Sequence, residues 1–493
     1  MNEENDKVYV NLKKVPLESE RNEKKQKRKK IFLYSFILIL FLFIGFGLGI
    51  IFYRDLYPRK NADATNTLGE IEALLENYWL YSDEYEDLQS ELEDKAFYGM
   101  TEFEDDPYTT YMSKKEMEEF SESINMEYVG IGVVYVVQGD YPLIERVIIN
   151  SPAEKAGMQA GDIITHVDGE STSGMESSEL KEKVLGEEGT IVTITVLRGS
   201  EYINMEITRA AIDNSVYCYG EDDYVVLHIY SFGETTAKDC MTYLDQYTGY
   251  KKIIIDLRND GGGYQNSVSE ICGLFIGNDR VYLKQEDKNG NVIESKTSCT
   301  KTYTNFDSIV LLVNENTASA AEVFTICLKE QLDNVTIVGT TTYGKGVIQS
   351  SRYLSNGGAI KFTSYRWYSP NGNSIHGTGI IPDVEVKEAD IYYEQYEAMK
   401  EDEVLELDCV SDKVAVAQKC LTFLNYYDDR QDGYFNEEFA DALKEFKIDN
   451  DLSADSKLDK QTYDCLISEV VASLAKEEND YQMLKAIEII GED

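Results

Sequence analysis

Apolar positions change their period several times along this chain, and each change marks a part. Within residues 68–104, LGEIEALLENYWL and ELEDKAFYGM space apolar side chains about 3.6 residues apart and predict helices. DDPYTTYM, residues 105–112, predicts a turn and a short extended piece. SKKEMEEF then predicts a helix start, with Ser113 and Glu116 in capping-box positions. Residues 127–210 turn to short strands, YVGIGVVYVV, LIERVII and TIVTITVLRG, with SPAEKAGMQAGD reading as a loop, a short helix and a turn. Residues 211–388 form an α/β segment. YVVLHIYSF, KIIIDLR, SIVLLVNEN and VTIVGT read as strands, TTAKDCMTYLDQY and the run from Ser319 as helices, and GVIQSSRYL and AIKFTSYRWYS return to β. Residues 389–410 predict a charged helical connector. Residues 411–493 read as helix, DG turn, helix, loop and helix. No repeat of solenoid length is present.

One apolar run has no polar face. Residues 31–53 carry no charge. At 1.5 Å per residue they reach roughly 34 Å, enough for a ~30 Å hydrocarbon core. RNEKKQKRKK, residues 21–30, precedes them directly, which predicts a cytoplasmic basic tail at 1–30 and an outside location for the rest. The run is longer than a typical cleaved h-region and no A-x-A site follows, so a retained single-pass signal anchor is expected. The formal net charge is −43, although residues 1–30 hold ten of the 47 Lys/Arg and six of the 90 Asp/Glu. So acidic a body repels phosphates, which argues against a nucleic-acid partner. The eight cysteines form no C-x-x-C pair, and a chain of 493 residues needs no staples, so mostly free, buried thiols are expected.

The chemistry concentrates between residues 317 and 349. TASAAEVF sets Ser319 at the mouth of a helix, where free N–H groups and the dipole favour a nucleophile. A serine hydroxyl needs a neighbour to take its proton. Lys345, in TYGKGV, can do so as a free amine if burial lowers its pKa from about 10.4. Gln349 lies an even number of residues on and shares a face with Lys345 in an extended chain, so its amide can orient the amine. The Ala320 N–H is a candidate oxyanion donor. NDGGG, residues 259–263, supplies unhindered amides just after a strand, and the second donor is assigned to Gly262, with Gly261 close behind. Glu322 reads as a helix-start charge. His166, His228 and His376 have no comparable setting, and His376 reads as a loop residue without a partner. DGGG lacks the lysine and Ser/Thr of a phosphate loop, and neither H-E-x-x-H nor G-x-S-x-G occurs. No metal or organic cofactor is called for.

These residues carry a family resemblance. DDPYTTYM, DLRNDGGG, TASAAE, GTTTYGKGVIQ and SIHGTGIIPDV, in that order over roughly residues 68–388, resemble the carboxyl-terminal processing peptidases, or tail-specific proteases. Residues 127–210, with GIG and SPAEKAGMQAGD, resemble a PDZ domain. NYYDDRQDGYF and the helix ending ALKEF resemble a peptidoglycan-binding module. The resemblance implies a multidomain α/β fold. Its parts are a helical N-terminal segment at 62–126, a PDZ β-sandwich at 127–210, an α/β serine peptidase core of the crotonase-like ββα kind at 211–388, a connector at 389–410 and a small three-helix C-terminal module within 411–493. It also implies Ser319 as nucleophile, Lys345 as base, Gln349 as orienting residue, and the amides of Gly262 and Ala320 as oxyanion donors. The PDZ loop with Gly130, Ile131 and Gly132 would hold a peptide carboxylate. The family often has serine at the places of Thr317 and Ala321 and proline at that of Gly261; here Ser319 is the motif's one serine. The implied partners are protein C-terminal tails, the membrane through residues 31–53, and peptidoglycan as a candidate; an oligomer stays open. The rivals are an inactive PDZ scaffold and a wall-binding adaptor.

Overall fold

The computed structural model describes residues 64–492 apart from Gly139 and Asn214. The apolar run at 31–53 lies outside the described residues, and among these no helix is long and apolar enough to cross a membrane. The chain divides into two units at Ala96. The described part of the first holds the helix Ala64–Tyr78, a 3-10 turn at Ser82–Glu84 and the start of the helix Leu88–Thr101.

In the second unit the peptidase segment is built on a six-stranded sheet. Its order is Val216–Gly220, Tyr224–Ile229, Lys252–Asp256, Ser308–Val313, Val335–Gly339, Val384–Glu385, and every pair after the first runs parallel. A parallel sheet needs both faces covered, and the strands are accordingly near-continuous aliphatic runs. Ile253, Ile255, Leu311 and Val313 face the helices Thr236–Leu244, Gln265–Ile276 and Ala320–Gln331. The alternate residues Val226, Ile254, Val310, Leu312 and Val338 meet Ala486 and Ile490 of the helix Tyr481–Glu492. The last helix therefore serves the peptidase sheet, although residues 411–493 were expected to form the C-terminal module and its tail.

A second sheet runs Thr110–Met112, Ala359–Tyr368, Val281–Asp287, Val292–Lys296, with Val347–Tyr353 also paired to Ala359–Tyr368. The capping box at Ser113 and Glu116 forms as expected. The PDZ segment has its own sheet, ordered Val133–Gln138, Tyr141–Val147, Ile163–Val167, Ile191–Arg198, Glu201–Thr208, over a core of Ile144, Ile164, Leu180 and Ile194. The strand Val133–Gln138 is an edge.

The C-terminal module packs the helices Asp412–Phe423, Glu437–Asp449 and Lys460–Leu474 around Phe435, Phe439, Phe446 and Tyr463. It abuts the PDZ segment, whose Leu143 and Ile163 share its core. Gly161 (φ +87°) lies there against the helix Lys460–Leu474; a Cβ would sit 2.5 Å from the Ser468 carbonyl oxygen, and the Ser468 hydroxyl donates to the Gly161 carbonyl at 2.5 Å. The connector departs from the expected helix. It holds a 3-10 turn, Asp390–Tyr393, and a short strand, Val404–Leu405. Ile391 and Met399 are drawn into the module core. All eight cysteines are free thiols, with Cys299 and Cys409 only part-buried.

An ionic cluster fastens the last helix. The Arg258 guanidinium meets Asp256 (Nη2–Oδ2 2.7 Å) and forks onto Asp480 (2.7 and 2.9 Å). The Glu388 carboxylate takes the Tyr481 N–H at 3.1 Å, and Gln482 donates to the Val386 carbonyl at 2.9 Å. Burial pulls the Asp256 carboxyl up, but Arg258 and His228 outweigh it and hold its pKa well below the usual range. Ile490→Ala is expected to destabilise the peptidase core by ~2–5 kcal/mol, as cavity-forming truncations do. Urea unfolding followed by tryptophan fluorescence checks this; an unchanged midpoint would mean that the helix is dispensable.

Candidate active site

Ser319 sits where the buried strand Ser308–Val313 ends and the helix Ala320–Gln331 begins. The turn between them is clasped to the neighbouring strand end. The Thr317 hydroxyl donates to the Leu257 carbonyl at 2.9 Å, and the Ala318 N–H to the Asp260 carbonyl at 2.9 Å. Ser319 itself has φ 55° and ψ −115°, a strained setting for a residue with a side chain. The strain is held by a carboxylate. Glu322, fully buried, accepts the Ser319 N–H (3.0 Å), the Thr342 hydroxyl (2.5 Å), the Gly344 N–H (2.7 Å) and the Lys345 N–H (2.9 Å). One side chain thus fixes the start of the Ser319 helix and the loop of Lys345 together. Read from sequence, Glu322 was a helix-start charge; its role appears only when residues 342–345 fold over it.

The Lys345 amine faces the ring of Tyr108 at 4.7 Å. Burial pushes its pKa below the ordinary lysine value; nearby Lys361 adds to this and Glu322 opposes it. The Lys345 carbonyl accepts the Trp367 indole N–H at 2.9 Å, and the next amide, Gly346, donates to His376 Nδ1 at 3.3 Å. His376 therefore has a partner, contrary to its reading as an unpaired loop residue. Gln349 lies on the strand Val347–Tyr353 beside a bulge, and its amide nitrogen reaches the Thr363 hydroxyl at 3.5 Å.

A cavity of about 700 Å³ joins these groups. Ser319, Ala320, Lys345, Gln349 and Gly262 line it, together with Ile131, Gly132, Lys181 and Val184 of the PDZ segment. Gly130 ends the strand Glu127–Gly130 and is not among its walls. The edge strand Val133–Gln138 and the helix Ser177–Val184 flank the PDZ end of the cavity, the places between which a peptide strand adds.

The amides expected as oxyanion donors lie side by side, but one of them is already engaged. Gly262 (φ +100°) touches the Ser319 turn; a Cβ there would lie 2.8 Å from the Ala320 nitrogen. The Gly262 N–H, however, donates to Asp260 Oδ1 at 2.8 Å and is not free. The cause is the short Asp-Gly-Gly turn, which lets the Asp260 carboxyl curl onto its own backbone. The N–H groups of Gly261 and Ala320 have no acceptor among the described residues.

Glu322→Ala leaves four donors without their acceptor and is expected to lower kcat by about 100-fold or more through misplacement of Ser319 and Lys345. Kinetics on a folded variant check this; a wild-type kcat would show that the loop holds itself.

Family models match the chain in three places: peptidase family S41 over residues 223–386, a PDZ domain over 143–198 and a peptidoglycan binding domain over 410–466. The chain is 32% identical over 424 residues to a "Probable CtpA-like serine protease" of Staphylococcus saprophyticus, covering 85% of each chain. It is 31% identical over 392 residues to a protein of the same name in Staphylococcus epidermidis, covering 78% of this chain and 79% of that one. A solved photosystem II D1 C-terminal processing protease covers 65% of this chain and 92% of its own, at 22% identity and a TM-score of 0.42. With a curated relative matched at this identity over most of its length, the chain belongs to the CtpA-like serine proteases of peptidase family S41, with a PDZ domain and a peptidoglycan-binding-type domain alongside the peptidase.

Proposed function

We propose that this serine peptidase is a membrane-anchored, extracytoplasmic endopeptidase of a bacterial cell envelope that captures protein C-terminal tails in its PDZ domain and cuts near them. The observation that carries this reading is the single cavity shared by the PDZ loop and helix with Ser319, Lys345 and Gln349. A tail whose carboxylate is held at the loop with Ile131 and Gly132 enters the same cavity that Ser319 lines. Residues 31–53 act as the anchor, and the module within 411–493 holds the enzyme near peptidoglycan.

In the reaction the neutral Lys345 amine takes the Ser319 proton as Oγ bonds to the scissile carbonyl carbon. The Ala320 N–H, at the unpaired helix start, stabilises the oxyanion. The second donor comes from the 260–263 turn, either Gly261 or Gly262 once its bond to Asp260 opens. The C–N bond then breaks, the leaving amine takes the proton from Lys345, and water hydrolyses the acyl-enzyme. Gln349 orients the amine throughout.

The test uses the full chain and labelled β-casein, an unfolded protein with an apolar C-terminus. Ser319→Ala and Lys345→Ala are each expected to lower kcat by about 10⁴-fold or more without unfolding the protein. Cleavage by Ser319→Ala would mean a different nucleophile. The pH profile has a definite sign. The base works when neutral, so kcat/KM rises with pH through the Lys345 pKa, with its inflection below the ordinary ~10.4 because burial disfavours the ammonium. A bell centred near the histidine range would contradict the lysine base.

A further inference from the structure

The turn at residues 106–109 lies far from Ser319 in sequence, yet it reaches the candidate site through the second sheet. The Asp106 carboxylate accepts the Thr109 hydroxyl at 2.6 Å, the Thr363 hydroxyl at 2.9 Å and the Tyr108 N–H at 3.3 Å. The Thr363 N–H in turn donates to the Thr109 oxygen at 3.0 Å. Burial pulls the Asp106 pKa up, but these donors outweigh it and hold the carboxyl below the ordinary aspartate value. The group is thus ionised at neutral pH and can only accept.

That fixes the direction of a chain of hydrogen bonds. Thr363 has one hydroxyl proton, and it goes to Asp106. Toward Gln349 the same oxygen can only accept. The Gln349 atom 3.5 Å away must therefore be the nitrogen Nε2, a long contact whose direction is set by its partners. The amide is planar, so Oε1 is left as the end offered to the cavity shared with Lys345.

We propose that Asp106 is a positioning residue which, through Thr363, fixes the Gln349 amide so that its carbonyl oxygen faces the Lys345 amine. This rests on the Ser319/Lys345 reading above. A carbonyl oxygen takes an N–H of the amine, leaves the lone pair free for the serine proton and favours the ammonium that forms. A reversed amide turns N–H donors on the lone pair, blocks the base and disfavours the ammonium. Tyr108, in the same turn, presents its ring to the same amine, so one short segment holds the lysine from two directions.

The experiment measures kcat, KM and the pH profile of the full-length enzyme on labelled β-casein for Thr363→Val, Thr363→Ser, Asp106→Asn and Lys345→Ala. Thr363→Val keeps the side-chain volume, which guards against a fold defect in Asp106→Asn. Both are expected to lower kcat by about tenfold or more with KM within about twofold, as loss of a positioned base does. The acid limb of kcat/KM moves to lower pH, because the reversed amide disfavours the ammonium. Thr363→Ser keeps wild-type values. A merely structural role predicts the opposite movement: loosened packing admits water and lifts a lysine pKa that burial had lowered, so a limb moving to higher pH overturns the proposal. So do wild-type kcat and profile in Thr363→Val and Asp106→Asn while Lys345→Ala is inactive. Activity retained in Lys345→Ala defeats the underlying dyad reading instead.

Discussion

The four donors that converge on the Glu322 carboxylate come from the start of the Ser319 helix and from the loop of Lys345. A buried carboxylate without donors is strongly unfavourable, so the carboxylate and the loop specify each other. With the acceptor in place, Ser319 is held in a backbone conformation that it would leave if unconstrained, and Lys345 arrives with its backbone already tied down. The amine is then free to be shaped by its own surroundings, which are apolar and aromatic on the Tyr108 side and cationic on the Lys361 side.

The rest of the second unit arranges access to that point. The parallel sheet delivers the strand ends at Asp256 and Val313 to one edge, so that the turns beginning at Leu257 and Asn314 meet and clasp each other. The second sheet brings Gln349 and Thr363 side by side and carries residues 106–112 with it. The PDZ segment is held on its far side by the C-terminal module and opens on its near side into the cavity that Ser319 and Lys345 line. The PDZ loop and Ser319 thus line one continuous space.

Sequence reasoning singled out groups whose local context is self-explanatory. Ser319 at a strand-to-helix turn, Lys345 between glycines and the glycine-rich turn at 261–263 each announce themselves within a few residues. What stayed hidden depends on segments meeting from afar. Glu322 at the third position of a helix reads as a cap until the 342–345 loop closes over it. Asp106 looks like a turn former until Thr363 arrives from a strand 257 residues away in sequence. The Gly262 amide was expected to be free, and only the curl of Asp260 in the turn shows that it is not. The connector failed as a helix because periodicity alone does not show that Ile391 and Met399 are drawn into a neighbouring core.

The helix Tyr481–Glu492 closes the far face of the peptidase sheet after the chain has already made the C-terminal module. The peptidase is in this sense a discontinuous domain, begun near residue 216 and finished near residue 490. A nascent chain that has passed Val384–Glu385 has all its parallel strands but still shows Val226, Ile254, Val310 and Leu312 to water on one side. The module must be synthesised before that face is sealed. A chain broken off anywhere within the module is therefore left with an open sheet.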